Sequence, residues 1–156
     1  MTTKDNPGVI APPPLIFAAF LGVGLGLDFL VFRVPTGLPA AARYGLAAVL
    51  AVAALLLGLG ALFRFRRAGT HAEPWRPTTT IVTEGAYRFT RNPMYVGMAL
   101  LYAAVAVAAD SVVALILSVP LLVVIRYGVI AREERYLIAK FGDEYRRYQA
   151  GVRRWL

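Results

Sequence analysis

Long apolar runs limit what this chain can fold into. A helix that crosses a bilayer needs about 20 mostly apolar residues and satisfies its backbone hydrogen bonds internally. The 58% hydrophobic composition and the mean hydropathy of +0.60 exclude an ordinary soluble domain. The pattern predicts an all-α, polytopic membrane protein with four transmembrane helices, followed by cytoplasmic C-terminal helices. The four runs are residues 15–32, 44–63, 94–109 and 112–125.

Basic residues are distributed unevenly between these runs. Segment 64–91 holds six arginines and the tail 126–156 holds eight Lys and Arg, whereas segment 33–43 holds two. Cytoplasmic segments of membrane proteins carry the excess of Lys and Arg. We therefore expect a bacterial inner-membrane protein with both termini in the cytoplasm. The basic residues flank apolar runs and no nucleic-acid motif is present, so membrane lipids, not nucleic acid, are the expected partners. Nothing in the sequence indicates an oligomeric state.

The length of 156 residues predicts a single domain over residues 1–156. Residues 1–13 are polar and then proline-rich, which predicts a flexible or extended lead-in. The segments with recognisable motifs fall in residues 81–156, the motif-bearing half of the chain, where we expect any functional residues to lie.

Two features of the first run concern packing. Gly22 and Gly26 form a G-x-x-x-G pair, which predicts close helix packing. Asp28 is costly near a bilayer, so we expect it to lie close to the outer interface or to pair with Arg33 or Arg43.

Several kinds of chemistry are excluded. The chain has no cysteine, so it has neither a thiolate metal site nor a cysteine nucleophile. His71 is the single histidine and only Glu73 lies near it, which is too little for a metal site. We predict no metal, and a solvated or interfacial His71.

Polar side chains precede the third run in the stretch G-A-Y-R-F-T-R-N-P-M-Y-V-G, residues 85–97. Pro93 suits the first turn of a helix. Arg88, Arg91 and Asn92 come just before it, where free backbone N–H groups can hold an anion. The alternative interpretation is an anchor of Arg and Tyr at the membrane interface.

The tail contains an acidic pair. Ile130, Glu134, Leu137 and Phe141 share one face at helical spacing. Glu134 therefore lies on an apolar stripe, with Glu133 beside it. One interpretation is purely structural, with both glutamates in salt bridges to nearby arginines. A carboxylate on a buried, membrane-proximal face favours the other interpretation, a functional role.

Two patterns, G-x-Y-R-x-x-R-N-P-M-Y-x-G and E-E-R-Y-L-x-x-x-F-G-x-E-Y-x-x-Y-x-x-x-V-R-R-W, resemble the isoprenylcysteine carboxyl methyltransferase and phospholipid methyltransferase superfamily. The resemblance covers about residues 81–156. It implies an integral membrane enzyme that uses S-adenosylmethionine to methylate a lipophilic acceptor, either an isoprenylcysteine carboxylate-like group or a lipid. The alternative is a non-catalytic membrane protein that binds lipid head groups or assists assembly.

The resemblance also implies site residues. Eukaryotic members have His where Asn92 stands, and an Arg about one turn before the glutamate, where this chain has Val129 or Ile130. Arg126 and Arg132 are the nearest substitutes, so Glu134, Arg126 and Arg132 are the catalytic candidates. The cofactor candidates are Tyr87, Arg88, Arg91, Asn92, Pro93, Met94, Tyr95, Gly97, Glu133 and Glu134.

These residue types suit methyl transfer. The reaction is an in-line displacement that needs alignment and exclusion of water, not a nucleophilic side chain. A carboxylate can bind the ribose diol or ammonium of the cofactor, and Arg can bind its carboxylate. We expect the pocket between the start of the third run and a helix at 127–141. The aromatic tail, with Phe141, Tyr145, Tyr148 and Trp155, is expected to fold over it as a lid.

Overall fold

The computed structural model describes residues 5–71 and 73–156, which form helices and connecting segments and contain no strand. The prediction of an all-α protein is confirmed. The first four residues of the predicted lead-in lie outside the described part. The elements are α1 Pro13–Leu27 with a π-helical turn Asp28–Phe32, α2 Ala40–Arg67, a 3₁₀ turn Gly85–Arg88, α3 Pro93–Ala108, α4 Val112–Val124, a π-helical segment Ile125–Ile130, α5 Ala131–Phe141 and α6 Asp143–Gly151.

Three continuous helices are long and apolar enough to cross a membrane: Pro13–Phe32, Ala40–Arg67 and Val112–Phe141, of 20, 28 and 30 residues. The fourth apolar helix, α3, has 16 residues, about 24 Å at the usual rise. The four-span count therefore stays a prediction. The chain continues from α4 into α5 through the π-helical segment without leaving a helical conformation, and the cytoplasmic position of the C-terminal helices also stays a prediction.

Large apolar side chains cover the outside of the bundle. Leu30, Leu56 and Val119 are 86%, 71% and 65% exposed. A soluble monomer rarely exposes an apolar surface this extensive. Lipid tails would cover it at no hydrophobic cost, while the helices satisfy their own backbone groups.

One end of the bundle is closed by Asp110, in the turn between α3 and α4. Its carboxylate accepts hydrogen bonds from the backbone N–H and the hydroxyl of Thr36, and it lies 2.8 Å from Arg43 Nη1. The Thr36 donors hold the pKa of the Asp110 carboxyl below its ordinary value. The loop between α1 and α2 is thereby fixed to the α3–α4 turn.

Asp28 is fully buried, and its carboxylate is satisfied locally. It accepts from Arg33 Nη1 at 3.3 Å and from the Val34 N–H at 3.1 Å. The expected pairing with Arg33 is confirmed, whereas Arg43 pairs with Asp110 instead.

Close packing of α1 occurs at Gly24, not at the predicted Gly22 and Gly26. A Cβ on Gly24 would lie 2.8 Å from Ala114 Cα in α4, whereas one on Gly22 or Gly26 would meet nothing within 4 Å. The prediction was wrong because the G-x-x-x-G spacing does not show which face of the helix meets its neighbour. Gly24 lies on that face, between the two glycines of the motif.

We expect Gly24→Ala to destabilise the bundle, because the added methyl meets backbone in α4 that can move only with its helix. Overpacking of this kind typically costs about 1–3 kcal/mol. The measurement is thermal unfolding of the detergent-solubilised protein. Gly22→Ala is the matched control, with an unchanged or slightly raised midpoint, since alanine favours a helix more than glycine does. Equal midpoints for the two variants would contradict the contact.

Candidate active site

The site begins where the chain enters α3. Pro93 occupies the first turn of α3, and three consecutive residues before it bind the end of the chain. The Thr90 hydroxyl and the Asn92 amide donate to the Arg154 carbonyl at 3.2 and 2.8 Å, and the Arg91 N–H donates to the Arg153 carbonyl at 2.8 Å. The C-terminal segment is therefore fixed against the start of α3.

This placement brings two arginines to Glu134 of α5, whose side chain is only 7% exposed. The Arg154 guanidinium donates two hydrogen bonds to the carboxylate, from Nε to Oε1 at 3.0 Å and from Nη2 to Oε2 at 2.6 Å. Arg91 Nη2 lies 3.3 Å from Oε1. Hydrogen bonding to Glu134 raises the pKa of Arg154. Bidentate pairs of this kind are geometrically specific and strong.

Arg91 is only partly satisfied by this pair. Its side chain is 8% exposed, yet its Nε and Nη1 atoms have no hydrogen-bond partner among the described residues. Buried charged donors without a partner are costly. Arg91 also lines a cavity, so it is a cationic side chain beside which an anionic group could bind.

Glu133 lines the same cavity but has a different environment. Its Oε1 accepts a hydrogen bond of 2.6 Å from the Tyr95 hydroxyl. Within the described residues, no Lys, Arg or His approaches it closely enough for a salt bridge, since both nearby arginines bind Glu134. Glu133 therefore presents a carboxylate that no cation neutralises.

Aromatic side chains form much of the remaining wall. The Phe65 ring meets the Tyr87 ring edge-on at 5.5 Å, and the Tyr148 hydroxyl donates to the Tyr87 carbonyl at 2.8 Å. Burial raises the pKa of Tyr148 to about 12 and also raises the pKa values of Tyr87 and Tyr145. All three phenols are neutral at physiological pH. Tyr145 and Tyr148 belong to α6, so part of the tail that was expected to form a lid does line the cavity.

The cavity volume is about 100 Å³, and all the empty space around it, open solvent at the mouth included, is about 790 Å³. A ligand the size of a nucleoside would therefore extend into the mouth. His71, half exposed, and Glu73 line the cavity on the α2–α3 loop.

Residues 5–10 run along α5 and the π-helical segment before it, beside the cavity. Asp5 accepts hydrogen bonds from Lys140 Nζ at 2.7 Å and from the Tyr136 hydroxyl at 2.8 Å, and Tyr136 also accepts from the Thr78 N–H. Pro7, next along this segment, lines the cavity. The network joins the N-terminal segment, the α2–α3 loop and α5.

Residues 5–10 also bind the helix nearer its start, at Arg132 and Gly128. Arg132 Nη1 donates to the Gly8 carbonyl at 2.8 Å, and the Ile10 N–H donates to the Gly128 carbonyl at 3.3 Å. A Cβ on Gly128 would lie 2.5 Å from Ile10 Cδ1, so the Ile10 side chain would have to move. The described part of the predicted lead-in, residues 5–12, contains no helix and binds the helix through these contacts.

The structure brings seven of the cofactor candidates to the cavity. Three others lie outside it: Arg88 is exposed, Pro93 is fully buried as the start of α3, and Gly97 faces α2. A Cβ on Gly97 would lie 3.1 Å from the Ala54 carbonyl oxygen, which indicates a role in helix packing. The seven are Tyr87, Arg91, Asn92, Met94, Tyr95, Glu133 and Glu134.

Two of the three catalytic candidates also lie elsewhere. Arg132 contacts the N-terminal segment, and Arg126 lines a separate groove between α3 and α4. The arginine next to Glu134 is Arg154, which the sequence reasoning did not assign. Its only signal was membership of the V-R-R-W ending. Proximity in sequence favoured arginines close to Glu134 along the chain. In the structure, the arginine that binds both oxygens of Glu134 comes from the end of the chain.

Comparison with known proteins identifies the family of the chain. Residues 42–144, about two thirds of the chain, match the phospholipid methyltransferase family. The chain belongs to this family and is therefore an integral membrane protein of a methyltransferase family that acts on lipids.

One relative and one negative result complete the comparison. An uncharacterized protein of Haemophilus influenzae is 66% identical over 35 residues, which are 22% of this chain and 56% of that protein. The match thus spans about half the length of this relative. No solved structure matches the chain significantly.

We expect Arg154→Gln to destabilise the fold, since the Glu134 carboxylate would lose its bidentate partner and stay buried. Hydrogen bonds to a charged group are worth about 1.5–3 kcal/mol. The measurement is thermal unfolding in detergent. Arg153→Gln is the matched control: its side chain is exposed and only its backbone contacts α3, so its midpoint should equal that of the wild type. If Arg154→Gln unfolds at the wild-type midpoint, the pair does not hold the tail.

Proposed function

We propose that the protein is an S-adenosylmethionine-dependent methyltransferase that methylates a lipophilic acceptor in the membrane. One observation carries the proposal. A single cavity is lined by Arg91, by Glu133, whose carboxylate has no salt-bridge partner among the described residues, and by several tyrosines.

These groups fit the chemistry of the cofactor. S-adenosylmethionine has a carboxylate, an ammonium, a cationic sulfonium and a ribose diol. Arg91 offers charged donors to a carboxylate, and Glu133 offers an acceptor to an ammonium or a diol. Tyrosine faces such as that of Tyr95 stabilise a cation lying beside them. The donor set therefore matches each polar part of the cofactor.

The residues have separate roles in this proposal. When bound, the cofactor supplies an electrophilic methyl group: the acceptor's lone pair forms a bond to its carbon as the carbon–sulfur bond breaks and the sulfur leaves as a neutral thioether. Arg91 and Glu133 orient the charged groups. Glu134 and Arg154 hold Arg91 in position. Tyr145 and Tyr148 of α6 exclude water from the cavity.

The family favours a phospholipid as the acceptor, and an isoprenylcysteine carboxylate-like group is the other candidate. A non-catalytic protein that binds lipid head groups through its basic end is the competing proposal. Cofactor binding separates the two, since a head-group protein has no need of the polar cavity.

We expect Arg91→Lys to weaken binding of S-adenosylmethionine, because lysine keeps the charge but lacks the planar, forked donor geometry of the guanidinium, which binds Glu134 and can bind a ligand carboxylate. The loss of a charged hydrogen bond corresponds to about a 10- to 150-fold rise in Kd. The same range is expected for Glu133→Gln. Isothermal titration calorimetry of detergent-solubilised protein gives the Kd values.

The control for this experiment is Arg88→Lys, because Arg88 belongs to the same stretch but is exposed outside the cavity. Its Kd should equal that of the wild type. Unchanged affinity in both Arg91→Lys and Glu133→Gln, with wild-type stability, would show that the cavity is not the cofactor site.

We also propose that α3 crosses the membrane as a fourth span, with both termini and the cavity in the cytoplasm. The α1–α2 loop and the α3–α4 turn share one end of the bundle. That end has Arg33 and Arg43, whereas segment 64–91 and the tail, at the opposite end, hold fourteen Lys and Arg. By the positive-inside rule, we expect the end with segment 64–91 and the tail to face the cytoplasm.

Single cysteines test this orientation, starting from a chain that has none. A membrane-impermeant maleimide should label Leu38→Cys in intact cells, and it should label Arg88→Cys only after permeabilisation, because the two exposed positions lie at opposite ends. Labelling of both from the same side would contradict four spans. Labelling of Arg88→Cys alone in intact cells would show that the orientation is the inverse of the proposed one.

A further inference from the structure

The wall of the cavity includes a part of the chain that belongs to no helix, residues 5–10, which we call the N-terminal strap. Pro7 of the strap lines the cavity together with Tyr136 of α5 and Thr78 of the α2–α3 loop. The shape of the cavity therefore depends on where the strap lies. The two ends of the strap are attached to the rest of the protein in different ways.

The end of the strap next to α1 is held through backbone groups. The Ile10 N–H donates to the Gly128 carbonyl, and the Ile10 side chain lies where a Cβ on Gly128 would be. The Gly8 carbonyl accepts from Arg132 Nη1. Because α1 begins at Pro13, only three residues after Ile10, this end continues almost directly into the helix bundle and is fixed.

The other end of the strap is held by one exposed side chain. The Asp5 carboxylate accepts hydrogen bonds from Lys140 Nζ at 2.7 and 2.8 Å and from the Tyr136 hydroxyl at 2.8 Å. Among the described residues, no backbone group of residues 5–7 is hydrogen-bonded outside the strap. The side chains of Asp5 and Lys140 are 56% and 29% exposed, and exposed ion pairs contribute little to stability. This end is therefore held weakly.

Gly8 separates the two ends. Its φ is +61°, in the left-handed region that glycine adopts without a steric cost. The Gly8 N–H donates to the Asn6 side-chain oxygen at 3.0 Å, which closes a short turn around Pro7. Residues 5–7 thus form one local unit. Rotation about the φ of Gly8 would move this unit without disturbing the contacts of Ile10.

The C-terminal wall of the cavity is attached more strongly. Arg154 donates two hydrogen bonds to the buried Glu134 carboxylate, and the Arg91 N–H donates to the Arg153 carbonyl. Displacing this wall would leave a buried carboxylate without its bidentate partner, which is costly. Displacing residues 5–7 breaks only exposed bonds. Of these two walls, the strap costs less to move.

The size of the cavity indicates that one wall has to move. Its volume is about 100 Å³, whereas sites that enclose a small molecule typically measure about 300–1,000 Å³. A ligand of that size is enclosed only if part of the lining moves outward first. Pro7 is the part of the lining that the weakly held end of the strap carries.

We propose that the N-terminal strap is a gate of the cavity. The gate is closed when Asp5 binds Lys140 and Tyr136, and it opens when residues 5–7 swing away about Gly8, which withdraws Pro7 from the lining. The Tyr136 oxygen also accepts from the Thr78 N–H at 3.3 Å, so one side chain connects the gate to the α2–α3 loop. The identity of the entering ligand rests on the proposed function, whereas the movement of the strap does not.

Thiol reactivity measures the gate without any ligand. Leu137→Cys places a single cysteine at a half-buried position of the cavity lining, in a chain that otherwise has none. Its rate of reaction with a methanethiosulfonate reagent in detergent-solubilised protein follows the fraction of open molecules. Asp5→Ala in this background removes every bond of the carboxylate and should raise the rate about two- to fivefold, the factor that an exposed ion pair is worth.

Glu84→Ala in the Leu137→Cys background is the matched control. It truncates another exposed carboxylate, which pairs with Arg64 at 2.9 Å and does not line the cavity. The rate of thiol modification should equal that of Leu137→Cys alone.

A reversible cross-link tests whether the gate controls ligand entry. Asp5→Cys and Lys140→Cys are combined in one chain and joined by a short, reducible bis-methanethiosulfonate linker, which holds the gate closed. The cross-linked protein should bind no S-adenosylmethionine in calorimetry, and reduction of the linker should restore binding. The same linker between Glu84→Cys and Arg64→Cys is the control and should leave binding as in the wild type.

Two results would overturn the gate: unchanged Leu137→Cys reactivity after Asp5→Ala, or wild-type cofactor binding by the protein cross-linked between positions 5 and 140. Failure of the proposed function gives a different result. Raised thiol reactivity with no cofactor binding by any preparation, the reduced protein included, would support the movement of the strap and refute the cofactor site.

Discussion

The buried carboxylate of Glu134 is the interaction on which the arrangement depends. It binds Arg91 from the start of α3 and Arg154 from the end of the chain, so three segments distant in sequence meet at one group. Moving a carboxylate from water into the protein interior is costly, and only well-placed hydrogen bonds offset that cost. The bidentate geometry of Arg154 supplies them. The position of α5 relative to α3, and therefore the width of the cavity, depends on this contact.

The contact also determines the charges that remain available. Two guanidinium groups bind Glu134, so neither neutralises Glu133, which keeps only the hydroxyl of Tyr95. Arg91 uses one nitrogen on Glu134 and retains two unpartnered ones. Two adjacent glutamates thus have different roles: one organises the site and the other faces the cavity. The cavity lining thus includes both a guanidinium, Arg91, and a carboxylate without a salt-bridge partner among the described residues, Glu133.

The sequence predicts the elements well because they depend on local pattern. Apolar runs correspond to the helices, and helical spacing placed Glu134 on a buried face. Which residues meet across the fold depends on the rotation of each helix, which a run of Leu, Ala and Gly does not specify. Gly24 therefore packs where Gly22 and Gly26 were expected to, and Gly97 contacts α2 instead of a ligand. Arg154 could not be paired with Glu134 before the path of the C-terminal segment was known.

The short length of α3 connects the architecture to the proposed reaction. Its far end is fixed to the α1–α2 loop through Asp110, and its length of about 24 Å is less than the roughly 30 Å of a bilayer's hydrocarbon core. With the far end at one membrane surface, Pro93 and Tyr95 lie below the opposite surface. The cavity then opens near the depth of lipid head groups. Under the proposed function, a lipophilic acceptor would reach it while its chains stay in the bilayer, and a polar cofactor would enter from water.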